Sequence, residues 1–136
     1  MASDDRPFLD TSVLLCLLSE DKSRADRAEA LLAGRGVVSA QVLNELTSAG
    51  VRKFSLTWRE VGDLVALVKE GCAVESLTEE SHDQARELAE RYQLSFYDAS
   101  IVSSALLAEC RVLYSEDMQH GLRIGRTLSI RNPFRR

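Results

Sequence analysis

A chain of 136 residues, 45% apolar and 28% charged, has the size and mixture of one globular domain with a core of its own. Its longest apolar run, Val13 to Leu18, is far short of the ~18–20 residues that a membrane span needs. The net charge of −4 would disfavour a nucleic-acid partner if it were evenly spread. No acid follows Asp117, whereas Arg123, Arg126, Arg131, Arg135 and Arg136 do, so residues 1–117 set 12 cations against 21 acids and carry −9. An acidic body with a basic end is an asymmetry that needs a reason.

Three cysteines, Cys16, Cys72 and Cys110, lie far apart in apolar settings. They read as buried, reduced thiols of a cytoplasmic protein. Met1–Asp5 has two aspartates and no basic residue, the pattern expected of a chain without a secretory leader. With only His82 and His120, a histidine-rich zinc site is excluded. Any metal would be held by oxygen, which favours Mg²⁺ or Mn²⁺.

In chain order, Pro7–Leu9 reads as a strand and Ser12–Leu18 as a short helix. Ser23 to about Leu32 is a helix closed by Gly34 and Gly36. Val37–Ser39 is a strand whose last residue can cap a helix from Ala40 to about Arg52. Thr57 opens the next helix and Gly71 ends it. Ala73–Leu77 is a strand, and Thr78 with Glu80 or Ser81 starts a helix to Tyr92. Phe96 and Tyr97 lead into Asp98 and a helix to about Glu109. Arg111–Tyr114 is a strand, Ser115–Gly121 a polar turn and Thr127–Arg131 a last strand. Strands alternating with helices, without hairpin signals, predict a parallel sheet covered on both faces. One domain is expected over 1–136, with its core at about 7–132 and a flexible basic tail at 133–136. Phe54, Trp58, Tyr92 and the apolar residues of the first helix read first as core, with a dimer or antitoxin groove as the alternative for some of them.

Ligands of such sheets bind beyond the carboxyl ends of the strands, and acids gather there. Asp10 follows the first strand and Asp117, beside Glu116, follows the strand ending at Tyr114. At ~100° per residue, Asp98 lies on the apolar face of Ile101, Val102 and Ala105, and Glu45 at the edge of the stripe of Val42 and Ala49. Each has an ordinary structural role open to it. Asp98 can be a helix N-cap, Asp10 a turn residue capping the first helix, Glu45 a partner of Arg52, and Asp117 a solvated loop acid. Together they point elsewhere, because gathered carboxylates repel and call for a compensating cation such as Mg²⁺.

Four segments carry a resemblance: Phe8-Leu9-Asp10-Thr11-Ser12, Val38 to Glu45, Phe96 to Val102, and Leu113 to Gln119. In this order and spacing the chain resembles PIN domains, specifically the small ribonuclease toxins of the VapC type, over about residues 7–132. The resemblance implies a three-layer α/β/α sandwich with a mostly parallel five-stranded sheet. It implies Mg²⁺- or Mn²⁺-dependent RNA cleavage leaving a 5′-phosphate and a 3′-hydroxyl, a homodimer, and inhibition by a small antitoxin. Asp10, Glu45, Asp98 and Asp117 match the family's acidic quartet, with Glu116 or Asp117 as the fourth acid. Thr11 or Ser12 matches the hydroxyl after the first acid, and Ser115 the hydroxyl two before the last.

The expected activity is therefore metal-assisted hydrolysis of RNA phosphodiesters, with no membrane partner. Arg123 and Arg126, with Arg52 and Lys53 in addition, are the residues expected to meet the phosphates that the acids repel. His120 reads as a loop residue rather than a general base. Two alternatives stand beside this: a non-catalytic, degenerate PIN module, and a receiver-like signalling domain with an acidic Mg²⁺ pocket. The second needs a lysine near the last strand, and the lysines stop at Lys69.

Overall fold

In a computed structural model describing residues 5–135, short segments of two to four residues form the strands. Met1–Asp4, most of the segment read for a leader, and Arg136 of the basic tail lie outside the described residues. The elements are β1 (Phe8–Leu9), α1 (Thr11–Leu15) running into a 3₁₀ turn at Cys16–Leu18, α2 (Lys22–Ala33), β2 (Val37–Ser39), α3 (Ala40–Lys53), α4 (Trp58–Gly71), β3 (Ala73–Glu75), α5 (Glu79–Tyr92), α6 (Phe96–Leu107), β4 (Val112–Tyr114), β5 (Arg123–Ile124) and β6 (Leu128–Arg131).

The sheet order is β3-β2-β1-β4-β6-β5, with helices on both sides. β3, β2, β1, β4 and β6 are parallel and form the five-stranded core of the sheet. β5 adds a sixth, antiparallel edge strand, pairing Arg123 with Ser129 and Ile124 with Leu128. The central strands are apolar without alternation because helices cover both faces: Phe8, Leu9, Val38, Leu113 and Ile130 are fully buried. Gly36 allows β1 and β2 to meet, since a Cβ there would sit 2.7 Å from the Pro7 carbonyl oxygen.

Capping chemistry sets the helix starts. The Asp21 carboxylate accepts from the Ser23 and Arg24 amides, and Ser39 Oγ from the Val42 amide. Thr57 with Glu60, and Thr78 with Ser81 rather than Glu80, form reciprocal boxes. α6 begins earlier than expected, at Phe96. Its cap is Ser95, whose Oγ accepts from the Asp98 amide. Asp98 is therefore not a cap; it stands in the first turn. Along α6 every residue from Ala99 to Ala105 is buried, so it is the central helix of the fold.

Two side chains expected in the core lie outside it. Trp58 is 73% exposed and Phe54 is also exposed, because both flank the α3–α4 corner rather than a buried stripe. Tyr92 packs against the core as expected, half-buried, with its hydroxyl accepting from the Gly125 amide. At the start of the tail, Arg27 Nε donates to the Pro133 carbonyl at 3.2 Å, and the Phe134 ring lies 4.4 Å from the Arg24 guanidinium carbon. All three cysteines are unbonded and buried. Burial pushes the Cys110 thiol up to about 11, as expected of an inert core thiol.

Candidate active site

Asp10 continues the β1 ladder by one bond, its amide donating to the Tyr114 carbonyl at 3.0 Å. It then occupies the N-cap position of α1, yet its carboxylate caps nothing. Instead its Oδ2 accepts two hydroxyls at 2.8 Å each, from Ser12 and from Ser115 at the end of β4. Asp10 is 4% exposed. Burial pushes its carboxyl up to about 6, and the charge of Asp98 adds to the rise, while the two hydroxyls oppose it. Burial also raises Asp98, with Glu45 and then Asp117 contributing like-charge repulsion. Asp98 thus links the acids named from the sequence: its charge acts on Asp10, and those of Glu45 and Asp117 act on it.

The hydroxyls sort the loops. Ser12 Oγ, while donating to Asp10, accepts from the Glu116 amide at 3.0 Å. Ser115 Oγ accepts from the amides of Asp117 and Met118. These two serines tie α1 to the turn after β4 and fix that turn's path. Thr11 has a different job: its Oγ1 donates to Glu45 Oε1 at 3.0 Å, and Gln41 Nε2 donates to Oε2 at 2.9 Å. Glu45 is thereby oriented by α1 and by its own helix, not by Arg52.

Glu116 and Asp117, equivalent on the sequence, are separated by the fold. The Glu116 carboxylate pairs with the Arg24 guanidinium, whereas Asp117 is exposed. Arg24 is a residue that the sequence reading missed. Its signal was present, since Arg24, Ala28 and Leu32 share a four-residue stripe on α2, and the last two are its buried face. Gln41, four residues before Glu45, was equally visible as an (i, i+4) partner.

Arg123 and Arg126 are not brought to the acids. β4 pairs with β6 from Val112–Ser129 to Tyr114–Arg131, and β5 runs back along β6 with Arg123 level with Ser129. The Gly125–Thr127 turn therefore lies at the amino end of β4, opposite Ser115. Arg123 folds onto the Arg126 carbonyl at 2.9 Å. His120 Nδ1 accepts from the Asn132 amide, a link that secures the chain end. Arg24 pairs with Glu116. Lys53 shares a cleft of about 600 Å³ with Ser12, Cys16, Phe54, Glu116 and Asp117.

The donor set fits a hard divalent cation: it is all carboxylate oxygen, includes a buried, destabilised Asp10, and is mutually repulsive. Among the described residues no three acid, histidine or cysteine side chains converge as a ready-made cage. Thr11 and Gln41 engage the Glu45 carboxylate, and Arg24 engages that of Glu116. Among the described residues no helix is long and apolar enough to cross a membrane.

Among the solved structures that share this fold are two toxin structures. One is VapC20 of Mycobacterium tuberculosis, described as a Sarcin-Ricin loop cleaving toxin, at 24% identity and TM-score 0.67, over 82% of this chain and 89% of that one. The other is VapBC2 of Rickettsia felis bound to a DNA fragment from their promoter, at 20% identity and TM-score 0.67, over 93% and 97%. No curated protein sequence matches the chain. The sequence model of the PIN domain matches residues 8–121, a span that runs from β1 through Asp10, Glu45 and Asp98 to Asp117 and the turn beyond it, so the chain belongs to the PIN domain family.

Proposed function

We propose that this PIN domain is a divalent-metal-dependent endoribonuclease, the VapC-type toxin of a toxin–antitoxin pair. The observation that carries the reading is Asp10: a carboxylate 4% exposed, gripped by two serine hydroxyls and pushed up to about 6 beside Asp98. A fold leaves a buried acid at such cost when its charge has work to do. Asp10 and Asp98 would hold Mg²⁺ or Mn²⁺, with Glu45 and Asp117 completing the oxygen set or holding a water. When bound, the ion would neutralise the cluster, polarise a phosphoryl oxygen and raise the acidity of the attacking water.

The chain's own residues do the positioning. Ser12 and Ser115 fix one oxygen of Asp10 and leave Oδ1 without a side-chain hydrogen bond. Thr11 and Gln41 hold Glu45 at the edge of the same cluster. Arg24 neutralises Glu116, which supports Asp117 as the fourth acid. In-line attack would then yield a 5′-phosphate and a 3′-hydroxyl. A cognate antitoxin and a second copy of the chain are the protein partners this reading proposes, in the cytoplasm.

RNA cleavage in Mg²⁺ tests the assignment. Asp10→Asn and Asp98→Asn should each lose at least ~100-fold in rate, the scale of removing a principal electrostatic group. Asp117→Asn should lose more than Glu116→Gln. Full activity in both Asp10→Asn and Asp98→Asn would overturn the mechanism. A non-catalytic binding module instead predicts no cleavage by the unmodified chain, with or without metal.

A further inference from the structure

With Arg123 and Arg126 at the far end of the sheet and Arg24 engaged by Glu116, the acidic site needs another cationic surface to receive a polyanion. Two paths from the acids lead to one place. The first follows α3: seven residues beyond Glu45, Arg52 lies within roughly 20° of it on the helix surface and about 10 Å further along the axis. Arg52 shares a depression of about 410 Å³ with Trp58. The second is the cleft that Glu116 and Asp117 line together with Lys53 and Phe54. Both reach the α3–α4 corner.

The corner combines three exposed cations, Arg52, Lys53 and Arg59, with two exposed aromatic rings, Phe54 at 40% and Trp58 at 73%. None of the three cations forms an ion pair among the described residues. The corner is also rigid. Ser55 takes a left-handed φ of 57°, the Leu56 amide donates to the Gly50 carbonyl at 3.0 Å, and the Thr57–Glu60 box starts α4 with Trp58 as its first residue. Large rings on a rigid turn lose little entropy on contact, and base–aromatic stacking beside phosphate-binding cations is the chemistry by which single strands are held.

We propose that the α3–α4 corner is a docking platform for unpaired RNA. Bases stack on Phe54 and Trp58, and phosphates meet Arg52, Lys53 and Arg59 as the strand enters the acidic site. The inference rests on the ribonuclease reading for the chemistry at the acids but makes a separate claim about where RNA binds.

Trp58 is the sole tryptophan of the chain, so its fluorescence reports on the platform directly. The Asp10→Asn chain is titrated with an unstructured single-stranded RNA of about ten nucleotides, a length within the site sizes of such platforms, carrying an end label for anisotropy. The expected result is saturable quenching of Trp58 that coincides with the anisotropy curve and weakens with added salt. An RNA duplex should quench less. Phe54→Ala and Trp58→Ala should each weaken binding about tenfold, and in the unmodified background raise KM with little change in kcat. Binding seen by anisotropy with no change at Trp58 overturns the platform. So does Trp58 emission that shifts with protein concentration alone, which would mark the corner as a contact between copies. If RNA saturably quenches Trp58 but the unmodified chain cleaves nothing, the ribonuclease reading falls and the platform stands. Cleavage without quenching gives the reverse.

Discussion

A carboxyl pushed up to about 6, as in Asp10, holds its proton more tightly in the folded chain than in the unfolded one, where an aspartate titrates near ~3.9. The sign follows directly. Between these values the folded state binds more protons, so metal-free stability falls as pH rises from about 4 to about 6, by about 3 kcal/mol at ~1.4 kcal/mol per pH unit. Asp10→Asn removes that slope. In denaturant titrations without divalent ions it should be more stable than the unmodified chain at pH 7, by roughly 1–3 kcal/mol, and the difference should vanish near pH 4. Equal stability at both pH values would mean that Asp10 is not strained. The candidate acids could be named from the sequence because PIN-like segments mark them. What each carboxylate touches was not. Glu116 and Asp117 are neighbours in the chain, and only the folding of α2 against the turn after β4 gives one of them Arg24.

α3 and α4 illustrate how elements are placed. An exposed helical glycine gains ~1 kcal/mol on becoming alanine, but Gly50 is buried and a Cβ there would lie 2.9 Å from Val61 Cγ2 and 3.3 Å from Leu56 Cδ1. The close approach of the two helices depends on that missing methyl. Gly50→Ala should therefore destabilise the fold by about 1–3 kcal/mol, read as a lower urea midpoint with an unchanged slope. A stabilising effect would show that the corner has slack. Most elements were readable from apolar triplets, cap residues and glycines, which act over a few neighbouring residues. The start of α6 was not: Asp98 has the chemistry of a cap, and so has Ser95. The backbone chose Ser95, leaving Asp98 in the first turn with its carboxylate free to face the other acids. β5 was missed for a similar reason, since two residues carry too little pattern and pair only because β6 lies beside them.

For the molecule as a whole, the charge asymmetry takes on a different meaning than the sequence suggested. The arginines after Asp117 are partly structural. Arg123 folds over its own turn at the amino end of β4, and the chain end around Phe134 is pinned to α2 through Arg24 and Arg27. The acidic body retains a cluster whose repulsion a cation would relieve. Added Mn²⁺ or Mg²⁺ at ~100 times its dissociation constant should stabilise the fold by about 2.7 kcal/mol, a rise in Tm of roughly 8 °C for a chain of this size. Asp10→Asn should abolish most of that rise, and an equal rise in both proteins would place the ion elsewhere. The order of strands and helices, the acids at their ends and the PIN family itself are written in the sequence, because periodicity, capping and motif spacing are local properties. Which acid is buried, which is neutralised, which arginines lie near the site and which aromatic rings stay in water were decided by the packing of segments far apart in the chain. Burial and charge pairing act through space and leave little trace in sequence order.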